Sequence, residues 1–267
     1  MQVIGLCRFS YPAEGGFQVE HSSLEERKAY LYAPERMEER LRVFELMCLP
    51  AFEAQTDPDF TLVVLIGDSL PPRYLSRLME LTARMPQVQI AARPPGPHRA
   101  VCQSVLNEAR RDPSAPCLQF RHDDDDAVSV EFVEQLRAAA SDCASLVEKH
   151  RLVGFDWNRG WLARLDAGGI RAEEVQHPYW GVAQAMAVAG GVKHSIMNFG
   201  HERINRFMPT VTFQDPPMFL RGHNGFNDSR QKKHVQPVEL PYLDAGGEAE
   251  FAARFNIDAD AVREAHR

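Results

Sequence analysis

Short apolar segments alternate with amphipathic segments through the first 150 residues of the chain. Residues 2–7 (QVIGLC) and 60–66 (FTLVVLI) are apolar almost throughout, as expected of strands covered on both faces. Residues 88–90 and 117–120 are shorter segments of the same kind. The pattern therefore predicts four buried strands in this part of the chain.

The segments between these strands have helical spacing. Leu41, Phe44, Cys48 and Phe52 recur three and four positions apart, which predicts a helix from Pro34 with one apolar face. Further helices are predicted after Pro71, over 98–110 and over 130–149. The charged residues of the first helix are predicted to face solvent; they are Arg36, Glu39, Arg40 and Arg42.

Strands that alternate with helices are typical of a parallel sheet with helices on both faces. We predict an α/β fold with a Rossmann-like, mostly parallel central sheet. In the second half of the chain, 152–155 and 180–189 are predicted strands, 194–206 is predicted to be helical and 207–228 is predicted to form loops. We predict a single domain over 1–240, followed by a tail over 241–267 with a short helix. The domain consists of a regular half (1–128) and a loop-rich half (129–240).

Composition and charge exclude several classes of protein. The net charge is -7 and no basic block occurs, so nucleic acid is not an expected partner. No GxGxxG, GxxxxGK[ST], HExxH or GxSxG motif is present, which disfavours dinucleotide enzymes, P-loop NTPases, this class of metalloprotease and α/β-hydrolases. No signal peptide and no transmembrane segment are evident. We expect a cytoplasmic protein, and peripheral attachment at the inner membrane face stays open.

Four consecutive aspartates follow the fourth predicted strand directly, in FRHDDDDAVSV. Adjacent carboxylates repel one another unless a cation or solvent offsets their charge. Carboxylate oxygens are also the ligands that divalent cations such as Mg²⁺ prefer. The run therefore predicts a cation site, and the alternative is a solvated loop or a helix cap. The residues of the run are Asp123, Asp124, Asp125 and Asp126.

Ligands of parallel sheets bind at the carboxyl ends of the strands. Arg8 and Ser10 follow the first predicted strand and Asp68 follows the second, so these residues are predicted to lie at the same edge as the aspartates. His223, in the segment RGHNG (221–225), is a candidate third metal ligand or diphosphate contact, or else an exposed residue of a turn.

Three carboxylates of the second half are candidates for a general base. Asp215, in TFQDPP, is our first choice, and Asp156 and Glu202 are alternatives. Each of the three also has an interpretation as a surface carboxylate. Four aromatic residues are predicted to form a sugar-stacking surface or to pack in the core; they are Trp157, Trp161, Tyr179 and Trp180.

Three segments together resemble the rhamnosyltransferase family of bacterial glycosyltransferases. They are VIGLCRFSY, the block from YLYAPERMEERL to IGDSLPP, and FRHDDDDAVSVEFVEQLR. The resemblance implies a GT-A type fold, a nucleotide-sugar donor, a glycan or lipid-linked acceptor, and Mn²⁺ or Mg²⁺. The resemblance also implies that 1–128 binds the donor and 129–240 binds the acceptor, and we call these the donor half and the acceptor half.

The resemblance also implies roles within the aspartate run. The family pattern Asp-x-Asp-Asp maps onto the run with Asp123 as the nucleoside contact and Asp125 as the ligand of the metal and diphosphate. Asp124 is then the variable position on the donor side, and Asp126 supports the metal. His223, proposed above from the RGHNG segment, stays the third candidate metal ligand. The family name implies dTDP-rhamnose as the donor.

Two other functions remain open at this point. A sugar nucleotidyltransferase would have a similar sheet, but its glycine-rich, arginine-bearing N-terminal loop is missing, because RFSYP follows the first strand. A non-catalytic glycan-binding module of the same fold would keep the sheet without turnover.

Overall fold

The computed structural model describes residues 1–15, 21–223 and 239–267. Within these ranges the chain forms two sheets with helices packed around them. The strands are β1 (Gln2–Arg8), β2 (Phe60–Gly67), β3 (Val88–Arg93), β4 (Cys117–Asp123), β5 (Ala127–Val128), β6 (Leu152–Trp157), β7 (Arg159–Asp166), β8 (Gly169–Gln176), β9 (Gln184–Val188), β10 (Thr210–Phe213) and β11 (Phe219–Gly222).

The central sheet has seven strands in the order β10-β6-β9-β4-β1-β2-β3. The strands β3, β2, β1 and β4 are mutually parallel, and β10 is parallel to β6. The exception is β9, which is antiparallel to both of its neighbours. The predicted α/β class with a mostly parallel sheet is confirmed.

The helices fill the connections between these strands. No helix in the described part of the chain is long and apolar enough to cross a bilayer. The α-helices are α1 (Leu24–Leu31), α2 (Pro34–Val43), α3 (Leu49–Glu53), α4 (Pro72–Thr82), α5 (His98–Glu108), α6 (Phe132–Asp142), α7 (Ala144–Lys149), α8 (Ala245–Phe255) and α9 (Ala259–Ala265).

The two faces of the central sheet have separate cores. On one face, Val3 and Cys7 of β1 pack with α2, α3, α4 and α6; α2 continues into α3 through a π-helical turn, Phe44–Cys48. On the other face, Ile4 and Leu6 pack with α5 and with two short 3₁₀ helices, Ile196–Asn198 and His201–Arg206. This alternation along β1 is the burial of both faces that its apolar sequence predicts.

The second sheet was not predicted. It has four strands in the order β5-β11-β7-β8, and it includes β11, which lies in the segment predicted to form loops. The tail forms two helices instead of one short helix, and Phe251, Phe255 and Val262 from these helices are buried against Trp161. The β7–β8 hairpin carries many charged residues, so its strand pattern is weak in the sequence.

Gly5 offers a test of the packing between β1 and β4. Gly5 is the register partner of Phe120, and a Cβ at Gly5 would lie 2.1 Å from Cζ of that ring. We expect Gly5→Ala to lower the free energy of unfolding by about 1–3 kcal/mol, because the ring must move within a packed core. Urea unfolding measures the change. The matched control is Gly200→Ala, where nothing lies within 4 Å. Equal stability of the two variants would contradict this account.

Candidate functional site

The aspartate run lies at the carboxyl edge of the central sheet, as predicted. Asp123 is the last residue of β4, and the chain then turns and enters β5 at Ala127. The N–H of Asp126 donates to the carbonyl oxygen of Asp123 at 3.2 Å and closes this turn. Because β1 and β9 flank β4, the run is at the middle of the sheet and not at a free margin.

Asp123 pairs with Arg8. The two residues are register partners on adjacent parallel strands, and Nη2 of Arg8 lies 2.8 Å from Oδ1 of Asp123. Burial acts to raise the pKa of Asp123, but the charges of Arg8, Arg121 and Arg221 outweigh it and hold the pKa well below the usual range. Asp123 is therefore ionised. Its side chain is 30% exposed, which leaves it accessible to a ligand.

Arg40 of α2 binds the next two aspartates with a single guanidinium group. Its Nη2 pairs with Oδ1 of Asp124, and its Nη1 lies 2.9 Å from Oδ2 of Asp125. The side chain of Asp124 is fully buried, whereas that of Asp125 is 11% exposed. A buried cation therefore offsets charges that would otherwise repel one another.

This arrangement corrects the prediction that Arg36 and Arg40 face solvent. Arg36 is 2% exposed and Arg40 is 5% exposed. Nη1 of Arg36 donates to Oγ of Ser10 at 3.0 Å. Both arginines thus project from α2 towards the carboxyl edge of the sheet. The sequence signal was the four-residue spacing of the two arginines, which places them on one side of the helix.

Asp126 joins the run to the second sheet. Its Oδ1 accepts a hydrogen bond from the N–H of Gly222 at 3.0 Å. Burial raises the pKa of Asp126 to about 7, and the neighbouring charges of Asp125 and Asp123 add to this effect against the opposing charge of Arg221. The contact brings β11 to the aspartate turn.

His223 lies directly after β11 and is half-buried. Its N–H donates to the carbonyl oxygen of Ala163 at 2.7 Å, and burial, followed by the charge of Arg164, lowers the pKa of its imidazole. The backbone of His223 is thus next to β7. The rest of the RGHNG motif, Asn224 and Gly225, lies outside the described residues.

Ser10 and Asp68 lie beyond the ends of β1 and β2, at the predicted edge. Ser10 is buried and has a left-handed backbone (φ 48°), which turns the chain towards Arg36. Asp68 is exposed, and its N–H donates to the carbonyl oxygen of Arg93 at 2.9 Å. Ser10 is therefore a packed residue of the edge, and Asp68 is a solvent-facing one.

The three candidate bases have different environments. Asp156 is 0% exposed, and its two oxygens accept hydrogen bonds from the N–H of Tyr179 (3.0 Å) and from Nε2 of Gln184 (3.3 Å). Glu202 is exposed, in the second 3₁₀ helix. The side chain of Asp215 is 73% exposed and pairs with Arg159 at 2.6 Å. Only Glu202 and Asp215 thus face solvent among these three.

The predicted aromatic surface is divided between core and edge. Trp157 is buried in the core beside α6, and Trp161 is buried between the second sheet and the tail helices, so packing is their role in this structure. Tyr179 and Trp180 are half-buried. The ring of Trp180 stacks on His177, with 4.8 Å between ring centroids, and lies 5.0 Å from the guanidinium carbon of Arg221.

The three predicted metal ligands, Asp125, Asp126 and His223, are not gathered into one set. Among the described residues, no three His, Cys, Asp or Glu side chains form a group that could hold a metal ion. Asp123 and Asp125 nevertheless present carboxylate oxygens with some exposure. These residues fit a cation that binds one or two carboxylates and completes its shell with phosphate oxygens and water, and they do not fit an all-protein metal cage.

Arg40 is the basis of a stability prediction. Arg40→Met leaves Asp124 and Asp125 without this buried counter-charge, so we expect the free energy of unfolding to fall by about 3–5 kcal/mol. Arg42→Met, on the same helix, removes a partly exposed pair with Glu39 and should cost at most about 1 kcal/mol. Urea unfolding of both variants measures the difference, and similar losses would show that the Arg40 pairs carry little stability.

Asp156 is the basis of a pH prediction. Burial raises its pKa to about 6, against the opposing hydrogen bonds from Tyr179 and Gln184. The folded protein then binds more protons than the unfolded chain, so this group lowers the free energy of unfolding as the pH rises from about 4 to about 6.

In the unaltered protein, Asp156 lowers the free energy of unfolding by at most about 3 kcal/mol over that interval, and we expect this decrease to be absent from Asp156→Asn. Urea unfolding at a series of pH values measures it. The exposed residue Asp142 supplies the control variant, Asp142→Asn, whose pH dependence should match that of the unaltered protein. An unchanged pH dependence in Asp156→Asn would mean that Asp156 does not titrate in this interval.

The solved structures similar to this chain include two of S. aureus TarS, residues 1–349. The complex with UDP-GlcNAc has 9% sequence identity and a TM-score of 0.45, and the match covers 85% of this chain and 60% of that one. The complex with UDP has 10% identity and a TM-score of 0.45, with 84% and 61% covered. The chain thus spans less than two thirds of these structures. No curated protein matches the sequence significantly.

A family model with the description "Putative rhamnosyl transferase" matches residues 2–236. The match includes every strand described above and the whole aspartate run. It also extends through the second half, where the sequence resemblance was weaker. The chain therefore belongs to the rhamnosyl transferase family of glycosyltransferases.

Proposed function

We propose that this protein transfers a sugar from a nucleoside diphosphate donor to a glycan or lipid-linked acceptor, with Mn²⁺ or Mg²⁺ as cofactor. The observation that carries the proposal is the aspartate turn at the carboxyl end of β4, beside Arg8. Ligands of parallel sheets bind at this edge. Family membership supplies the reaction class, and the family name suggests rhamnose as the sugar.

Exposure supports the roles proposed for the aspartates. The side chains of Asp123 and Asp125 are 30% and 11% exposed, whereas that of Asp124 is 0% exposed. Asp123 can therefore meet the nucleoside, and Asp125 can meet the cation and diphosphate. Asp124 instead anchors Arg40. When bound, a divalent cation would stabilise negative charge that develops on the departing diphosphate.

The proposed domain roles divide the chain just after the aspartate turn. Residues 1–128 form the donor half, which ends at the aspartate turn and β5. Residues 129–240 form the acceptor half, and the helices of 241–267 pack against its β7–β8 hairpin. Glu202 and Asp215 are exposed in the acceptor half and could take a proton from an acceptor hydroxyl, and we keep Asp215 as the first choice.

The central test is the activity of Asp125→Asn. We expect release of nucleoside diphosphate from the preferred nucleotide sugar to fall by about 100-fold or more, because the variant loses the carboxylate that would hold the cation at the diphosphate. Asp142→Asn, at the exposed end of α6, is the matched control and should keep full activity. Full activity of Asp125→Asn, or of the unaltered protein in excess chelator, would reject the proposed metal role.

The donor is identified by a thermal-shift screen of nucleotide sugars, including dTDP-rhamnose, with and without Mn²⁺. Ligands that bind the native state raise the unfolding temperature, and the true donor should give the largest rise. If glycans raise the unfolding temperature and no nucleotide does, the chain is a glycan-binding module. If the protein forms a nucleotide sugar from a nucleoside triphosphate and a sugar phosphate, it is a nucleotidyltransferase.

A further inference from the structure

Three arginine side chains lie close enough to Asp123 for their charges to act on it, and two of them lie on the face of the central sheet that α5 covers. Alternate residues of a strand project from the same face, so Arg121 and Asp123 of β4 share this face. Arg8 reaches Asp123 from β1. Arg221 comes from β11 of the second sheet, next to the Gly222 that binds Asp126. We name Arg8, Arg121 and Arg221 the arginine cluster.

Arg121 is the unusual member of the cluster. It is half-buried, yet it makes no hydrogen bond and no salt bridge with any residue in the described ranges. Burial, followed by the like charges of Arg8 and Arg221, lowers the pKa of its guanidinium against the opposing charge of Asp123. Its N–H groups remain donors with no acceptor in these ranges, so the geometry favours an anion beside Arg121.

The other two arginines are held in place. Arg8 binds Asp123 and also lies 3.2 Å, Nη1 to Nε2, from His98. Arg221 donates from Nη1 to the carbonyl oxygen of Trp180 at 3.0 Å, and its guanidinium lies near the ring of the same residue. These contacts fix both guanidinium planes, and Arg221 keeps further N–H groups that can donate to a ligand.

His98 and His201, on this face of the sheet, add no positive charge at neutral pH. Burial, followed by the charges of Arg8 and Arg121, lowers the pKa of His98 to about 3. Burial and the charge of Arg121 also lower the pKa of His201. Neither histidine thus contributes to the positive charge of the arginine cluster, whose guanidinium groups can bind phosphate oxygens in a bidentate fashion.

We propose that the arginine cluster binds the diphosphate of the donor directly, and that it does so without a metal ion. The inference rests on the proposed function, because it assigns the diphosphate of that donor to Arg8, Arg121 and Arg221. The cation is then required for transfer, when charge develops on the departing diphosphate, and not for holding the diphosphate in the ground state.

The test is calorimetric titration with UDP, dTDP, inorganic pyrophosphate and uridine, each in excess EDTA and again with Mn²⁺. We expect the unaltered protein to bind both nucleoside diphosphates in EDTA. Arg121→Met should weaken their binding and that of pyrophosphate by about 10-fold or more, the loss expected for hydrogen bonds to a charged group. Its uridine binding should be unchanged, and Arg121→Lys should recover part of the loss.

Arg84→Met is the matched control. Arg84 is exposed after α4, near the start of β3 and therefore at the opposite edge of the sheet, and its loss should not alter binding. Thermal unfolding of each variant shows whether it is folded, and Arg121→Lys keeps the proposal testable if Arg121→Met is not.

Three outcomes would overturn the proposal. If the unaltered protein bound UDP and dTDP only with Mn²⁺, the cation and not the arginine cluster would hold the diphosphate. If Arg121→Met and Arg84→Met bound the nucleoside diphosphates with equal affinity, Arg121 would not belong to the site. In either case sugar transfer by the unaltered protein would leave the proposed function standing. Absence of all nucleotide binding, with and without Mn²⁺, would remove the proposed function together with the inference.

Discussion

Arg40 shares its guanidinium between the carboxylates of Asp124 and Asp125, at a depth where water reaches neither Arg40 nor Asp124 freely. Charges removed from water are tolerated in proteins only when they are paired and hydrogen-bonded. The aspartate turn therefore depends on α2, which the π-helical turn and α3 hold against the sheet. The site and the core on that face consequently stabilise each other.

Four residues of the same type have four different environments in this turn. Asp123 is ionised beside Arg8, and Asp124 is buried against Arg40. Asp125 shares Arg40 with Asp124 but has a partly exposed side chain. Asp126 has a pKa raised to about 7 and accepts a hydrogen bond from a backbone N–H. The four side chains are chemically identical, so their different environments are due to their different neighbours. A run of identical residues in the sequence thus contains one aspartate that supports the turn from within and two whose side chains are partly exposed.

The sequence alone was sufficient for the parts of the fold with strong periodicity. The strands around 2–7, 60–66 and 117–120 were predicted because both of their faces are buried and apolar. The position of the aspartates at a strand end followed from that pattern. Arg36 and Arg40 were assigned to solvent, because charged residues on a helix usually face water and only the tertiary structure shows the partner. The second sheet was not predicted, because β11 has four residues and β5 has two, too few to show the alternation of apolar and polar residues that is typical of a strand.

The hydrogen bond between Asp126 and Gly222 joins residues 96 positions apart in the chain. Contacts of such long sequence separation form late, because the entropy of closing the intervening loop must be overcome first. During synthesis, the ribosome completes the whole of β1–β4 well before it adds Gly222. The nascent chain therefore contains Asp126 before it contains the backbone donor of that residue, and this contact of the site can form only after β11, the last strand in the described part of the chain, has been synthesised.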